Sequence, residues 1–167
     1  MKLEVQKITP EAFADFGVIV APGHREPTAE LEGMVFWADL ASLPDLGREY
    51  GLGYATQAVR PNVQKNAERH MKTPELLLAM GGDMVVVAGP PDFPGEPDRL
   101  PAPERFKAFQ VPEGVGILFK PGVWHWAPFA VSGTIRLLVV FASGTSATDA
   151  VVKDLEPEHY LEFDALA

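Results

Sequence analysis

The sequence predicts an all-β dominated chain, a sandwich or barrel of short strands with a few short helices. Its 15 glycines and 16 prolines are together 31 of 167 residues. This share is well above the about 12% that the two residues average together in proteins. Apolar runs of strand length lie between these turn residues. Because 47% of the residues are hydrophobic, a packed core is expected and a mostly disordered chain is excluded. We expect a single domain over residues 1–167.

The N-terminal elements are a short strand at 2–6 and a short helix after it. Thr9 is a helix N-cap, Pro10 suits the first turn, and Glu11 suits the positive end of the helix dipole. Gly17 ends the helix. A Pro/Gly loop is expected next, at 21–30. Further strands are expected at 50–59, 84–88, 105–111, 115–119 and 135–141. The segment at 34–41 is expected to be either a strand or a short buried segment.

The segment Thr73–Gly82 has two possible structures. Its Leu, Ala and Met residues favour a helix. The number of neighbouring strands instead favours a strand that enters a hairpin at Gly81-Gly82-Asp83. We favour the hairpin, which would pair this strand with Met84–Ala88.

Residues 90–105 contain six prolines and are expected to form an exposed loop, because proline cannot donate to a β-ladder. The C-terminal segment 154–163 is expected to be a polar turn and a short helix or strand. Leu161 and Phe163 would attach this segment to the core.

Charge and cysteine content exclude several functions. The net charge of −9 argues against a nucleic-acid partner, which needs a concentrated positive field. Without cysteine, thiolate catalysis and Cys-ligated metals are excluded. The sequence shows no signal-peptide pattern and no apolar run long enough to span a bilayer. We therefore expect a cytoplasmic protein with no membrane partner.

Two of the four histidines lie in patterns that could carry chemistry. Glu68 and His70 are two residues apart, so on a strand both side chains point to the same face. Glu75 lies beyond a turn and could converge on them, and His125 could join from a separate strand. Two imidazoles and two carboxylates form a ligand set for Mn, Ni, Fe or Zn.

Simpler interpretations exist for each of these residues. His70 could be a strand histidine paired with Glu68, and Glu75 could be an acid at a helix N-terminus. Trp124 could belong to the core or to a pocket wall. His24 and His159 are expected to be solvated. No Gly-x-Ser-x-Gly elbow occurs, so serine hydrolase chemistry is not expected.

These residues resemble the two-part signature of the cupins, with Glu68 in place of the usual first histidine and Gly122-x-x-His125 as the second part. Within the cupins, the chain resembles the ureidoglycolate lyase family. The resemblance covers nearly the whole chain, including the opening MKLEVQKITPEAFADFG, the tripeptides at 68–70 and 123–125, and the tail at 155–158. It implies a cupin-like β-barrel, a double-stranded β-helix or jelly roll.

The resemblance also implies an activity, the cleavage of ureidoglycolate to glyoxylate and urea. The implied metal ligands are His70, Glu75, His125 and Glu68, and the implied catalytic residues are Glu68, His70, His125 and Lys120. The candidate substrate-binding residues are Arg60, Lys120 and Trp124. The substrate would be a small anion and the protein a homodimer.

The chain departs from this family at several positions. Glu75 replaces the usual Gln, the Asp-Arg pair expected near Ala142-Ser143 is absent, and Phe36 and Ala38 replace polar residues. Two alternatives follow. The first is a cupin acting on another small hydroxy acid, keto acid or sugar, and the second is a non-catalytic small-molecule-binding cupin.

Overall fold

The computed structural model describes residues 1–166 and consists mainly of short β-strands. The strands are β1 (Lys2–Leu3), β2 (Val5–Lys7), β3 (Gly17–Val20), β4 (Ala29–Leu31), β5 (Met34–Phe36), β6 (Tyr50–Ala58), β7 (Val63–Gln64), β8 (Asn66–Arg69), β9 (Glu75–Met80), β10 (Met84–Ala88), β11 (Lys107–Val111), β12 (Gly116–Phe119), β13 (Phe129–Ala130), β14 (Thr134–Ala142), β15 (Val151–Asp154) and β16 (Leu161–Phe163). The helices are α1 (Pro10–Phe13) and α2 (Thr145–Thr148), with 3-10 turns at Pro103–Arg105 and Pro157–His159.

Two larger sheets enclose the core. One has the strand order β3-β12-β9-β14-β6 and the other β13-β10-β11-β2. Side chains from β9, β12 and β14 meet side chains from β10 and β11 in a cluster that includes Leu77, Ile117, Ile135, Val86 and Phe109. This arrangement confirms the predicted all-β, cupin-like barrel. Glu75 begins β9, the central strand of the five-stranded sheet.

A second apolar cluster packs on the other face of the β10–β11 sheet. It contains Val85 and Val87 of β10 together with Trp124, Phe129 and Phe163. All five residues of β10 are therefore buried, since both of its faces are covered.

The short N-terminal helix begins where it was predicted but ends at Phe13, and Gly17 begins β3 rather than ending the helix. The Thr9 hydroxyl accepts a hydrogen bond from the Ala12 backbone N–H at 3.2 Å, and Pro10 occupies the first turn. Phe13 and Phe16 are buried in the first cluster, with ring centroids 5.9 Å apart. The helix and the turn after it thereby add two aromatic rings to the core.

Two further predictions about local structure were wrong in part. The segment at 75–80 is a strand, as favoured, but it does not form a hairpin with 84–88. β9 pairs with β12 and β14, whereas β10 pairs with β11 and β13. Gly81 and Gly82 have φ of 87° and 150°, and with these angles the turn carries the chain from one sheet to the other.

The segment at 34–41 is a strand only at Met34–Phe36, and it is exposed rather than buried. It pairs with β4 in a two-stranded hairpin outside both barrel sheets, so no second layer covers its side chains. The other strands and the proline-rich loop lie where they were predicted. No helix within residues 1–166 has the length and apolar character needed to cross a membrane.

Candidate metal centre

Glu75 begins β9, and its side chain points into one end of the barrel. The preceding turn is held in place by Thr73, whose hydroxyl accepts a hydrogen bond from the Ala142 backbone N–H at 3.0 Å. This bond ties the start of β9 to the end of β14. The Glu75 carboxylate is consequently fixed in position and only 7% exposed.

His70 follows β8 directly and is also buried. Its Nδ1 lies 2.8 Å from the backbone carbonyl of Asp149. A carbonyl only accepts hydrogen bonds, so Nδ1 carries the proton and Nε2 faces Glu75. The Asp149 carboxylate accepts bonds from the backbone N–H groups of Met71 at 3.0 Å and Lys72 at 2.8 Å, which fixes the turn that carries His70.

His125 is brought to the site by the turn at Gly122, which has φ of 82°, a value that favours glycine. The His125 Nδ1 donates to the Val123 carbonyl at 2.9 Å. Two backbone hydrogen bonds, of 2.6 and 2.8 Å, pair Glu68 with His125. The ring of Phe119 stacks on the imidazole with 4.8 Å between centroids. The position and the plane of this ring are therefore both determined.

The two imidazoles converge on one carboxylate oxygen. Oε2 of Glu75 lies 2.7 Å from His125 Nε2 and 3.1 Å from His70 Nε2. Both Nδ1 atoms already donate to carbonyls, so each Nε2 would present a lone pair to the carboxylate if the rings were neutral. The repulsion between these lone pairs and the carboxylate is avoided when a positive species lies between each Nε2 and Oε2 of Glu75. That species can be a proton on each Nε2 or a metal ion.

The pKa values follow from this geometry. Burial opposes the charged form of His70, but the hydrogen bond and the charge of Glu75 outweigh it and raise the pKa of His70 to about 9. Burial likewise opposes ionisation of Glu75, yet His125 and His70 lower its pKa to about 2. The pKa of His125 is raised by Glu75 against the effect of burial. The cluster thus favours an ionised carboxylate and a positive charge at the imidazoles.

The side chains present fit a divalent metal. Donor atoms of Glu68, His70 and His125 lie within 4.8 Å of one another, and Glu75 contacts both imidazoles. Imidazole nitrogen with carboxylate oxygen is a ligand set of Mn, Fe, Ni and Zn. The Nδ1–H bonds to carbonyls are the outer contacts that orient metal-binding histidines. The predicted group of two histidines and two carboxylates could therefore hold a metal ion.

Three other predicted site residues do not converge on this cluster. Lys120 donates from Nζ to the Ala14 carbonyl at 2.6 Å. The guanidinium of Arg60 lies 3.7 Å from the centroid of the Phe129 ring and donates to the Ala127 carbonyl. Trp124 is fully buried in the second cluster, because neighbouring residues in extended chain point to opposite faces. The core interpretation of Trp124 is the one that fits.

Sequence reasoning missed three residues around the site. Asp149 holds the His70 turn from 79 positions away along the chain, a separation at which no local pattern could have indicated it. Phe119 contacts His125, and Phe141 lies 5.8 Å from the His70 ring centroid. Both lie in continuous apolar runs, at 117–119 and 137–142, in which no alternation of apolar and polar residues marks the inward face.

Comparison with known proteins connects this site to a family. A family model described as Ureidoglycolate lyase matches residues 1–162. No curated protein matches the chain.

Two solved structures resemble the chain over part of its length. One is a mutant of the 3,4-ketoisomerase QdtA from Thermoanaerobacterium thermosaccharolyticum in complex with TDP-4-keto-6-deoxyglucose, with 20% identity, a TM-score of 0.45, and coverage of 60% of this chain and 64% of that one. The other is dTDP-6-deoxy-D-glucose-3,5-epimerase RmlC from Legionella pneumophila Philadelphia 1 in complex with dTDP-4-keto-L-rhamnose, with 13% identity, a TM-score of 0.40, and coverage of 82% and 69%.

Proposed function

The chain belongs to the ureidoglycolate lyase family, and we propose that it cleaves ureidoglycolate to glyoxylate and urea with the help of a divalent metal. The observation that carries the metal-assisted reaction is the convergence of His70 and His125 on Glu75. The family match, which spans 162 residues, supports the lyase class and the substrate.

His70, Glu75 and His125 are the proposed metal ligands, with Glu68 as a fourth ligand or as the base. A bound divalent ion would lower the pKa of the substrate hydroxyl and attract its carboxylate. This role matters because the two cations first considered for the substrate carboxylate, Lys120 and Arg60, are directed elsewhere.

Glu68 is the best-placed general base. It is half-buried, unlike the enclosed Glu75, and its backbone is paired with that of His125. The reaction needs a base that takes the hydroxyl proton while the C=O bond forms and the C–N bond breaks. The proton then passes to the departing urea nitrogen. Glu68 in its protonated form supplies that proton.

The experiment that tests this proposal measures urea release from ureidoglycolate by the purified protein. We expect release by the native protein and its loss, by about 1,000-fold or more, in His125→Ala. His159→Ala changes an exposed histidine outside the cluster and should retain native activity. Native rates in His125→Ala would remove this residue from the site. Turnover of another hydroxy or keto acid in place of ureidoglycolate would overturn the substrate.

We further propose that the protein is a homodimer joined through the outer face of the five-stranded sheet. The strand register places two uncharged rows on that face. On β9, β14 and β6 these rows are Leu76, Val140 and Leu52, and Leu78, Leu138 and Tyr54. The solvent face of an antiparallel sheet is normally polar, whereas Leu52 and Tyr54 are 80% and 65% exposed here.

A second copy of the chain is the occupant that suits this face. Two molecules of net charge −9 repel each other, and an uncharged apolar surface is where they approach with the least repulsion. Leu52→Asp places a charge on this surface and should shift the protein from dimer to monomer in sedimentation-velocity experiments. An unchanged sedimentation coefficient in that variant would contradict the proposed interface. The cytoplasmic location and the lack of nucleic-acid or membrane partners stay predictions.

A further inference from the structure

We propose that the outer cavity, the space between the 21–44 loop and the edge of the five-stranded sheet, binds an organic anion with an apolar body, such as a medium-chain carboxylate. The cavity has a volume of about 880 Å³, within the range of about 300–1,000 Å³ that is usual for small-molecule sites. None of the four residues of the metal cluster lines it, and the proposed lyase reaction does not use it.

The walls of the outer cavity are mainly apolar. Val18 and Leu118 line it from the sheet, and Leu40 and Ala41 line it from the loop. Ureidoglycolate is polar along its whole length and gains little from such walls. A ligand with a hydrocarbon or aromatic body would gain about 25 cal/mol for each Å² of apolar surface removed from water. The cavity therefore favours a ligand of a different class from the proposed substrate.

The ionisable side chains at the outer cavity are all basic. Arg25, Lys120 and His24 line it, and no Asp or Glu does so within residues 1–166. This contrasts with the whole chain, where 23 acids outnumber 14 lysines and arginines. A cavity of this kind favours an anionic group on the ligand.

The two strong cations are not neutralised by carboxylates. Lys120 donates to the Ala14 carbonyl, and Arg25 donates from Nη1 to the carbonyls of Asp39 and Leu40 at 3.2 and 3.4 Å. Neither takes part in an ion pair in the described part of the chain. Each cation thus keeps donors available for an incoming carboxylate.

The test is a calorimetric titration of the full-length protein with octanoate and, for comparison, octan-1-ol, which has the same tail without the charge. We expect saturable binding of one octanoate per chain and about tenfold or more weaker binding of the alcohol. No saturable binding, or equal affinities for the two compounds, would overturn the proposal.

Substitutions at Val18 test the location of the site. Val18→Asp should weaken octanoate binding by about tenfold or more, because it places a like charge in an apolar cavity, whereas Val18→Lys should keep the affinity within about threefold. Val152 is also 48% exposed but lies on β15, outside the cavity, so Val152→Asp should bind normally. Equal weakening by Asp and Lys at position 18, or by Val152→Asp, would assign the binding to another surface or to nonspecific adsorption.

Discussion

Arg69 and His70 are neighbours in the chain, and both are buried charged groups with opposite surroundings. The Arg69 guanidinium, fully buried, donates to four backbone carbonyls of the proline-rich loop, those of Asp92, Phe93, Glu96 and Pro97. His70 instead faces the carboxylate of Glu75. A buried charge held by neutral dipoles is fixed and structural, whereas one held by another titratable group can exchange its proton for a ligand.

If this contrast is correct, the largest effect on stability will come from Arg69→Ala. Four backbone carbonyls of the proline-rich loop would lose their donor, along with the contact between the guanidinium and the Trp124 ring at 4.6 Å. We expect the free energy of unfolding to fall by about 3–5 kcal/mol, measured by urea denaturation.

Arg99→Ala is the matched control in the same loop. Arg99 is exposed and pairs with Glu96 at 3.0 Å, so its loss should change stability by about 0.5 kcal/mol or less. Similar losses in the two variants would mean that the burial of Arg69 contributes little.

The second prediction concerns the exchange of protons for metal at the histidines. Because the pKa of His70 is raised to about 9, its Nε2 carries a proton near neutral pH, and the raised pKa of His125 keeps its Nε2 protonated to higher pH than in a free imidazole. A divalent metal must displace each proton that is present. Its apparent affinity should therefore rise by at least about tenfold per pH unit between about pH 6 and pH 8.

Titration of the metal-free protein with Zn²⁺ or Ni²⁺ at several pH values measures this slope. A slope near zero would show that no proton leaves when the metal binds, and would remove the histidines from the ligand set. A slope well above tenfold per unit would show that both histidines release protons when the metal binds.

The third and smallest effect is expected from Glu75→Gln. The amide keeps the shape of the side chain but removes the negative charge that holds the two imidazoles. We expect metal affinity to fall by about 10–100-fold, with the protein still folded. Glutamine is the residue that the resemblance predicts at this position, so urea release in the same variant shows how much of the reaction depends on the metal. Unchanged affinity would mean that Glu75 is not a ligand.

Much of the architecture was predictable from local sequence. Short apolar runs between glycines and prolines indicated the strands, and the spacing of Glu68 and His70 indicated a shared face. The family and its lyase class were predicted correctly from the ordered motifs. Metal binding and the roles of single residues stay predictions.

What the sequence did not reveal depends on partners distant in the chain. A Gly81-Gly82-Asp83 turn has the same local chemistry in a hairpin and in a crossing between sheets, and the choice depends on which strands lie beside β9 and β10. The carbonyls that accept hydrogen bonds from Arg69 lie 23–28 positions after it in the chain. Asp149, whose carbonyl contacts His70, lies 79 positions after that histidine. Trp124 was placed near the substrate because it adjoins His125, although that adjacency directs the two side chains apart.

The pairing of Glu68 with His125 has a consequence for how this strand can change. Deleting one residue just before Glu68 would shift the register by one position and reverse which side chains face the barrel. The guanidinium of Arg69 would then enter the metal site, and the imidazole of His70 would lie beneath the proline-rich loop. Insertions and deletions at 66–70 should accordingly abolish metal binding and activity. The exposed hairpin at 29–36 has no such constraint on its length.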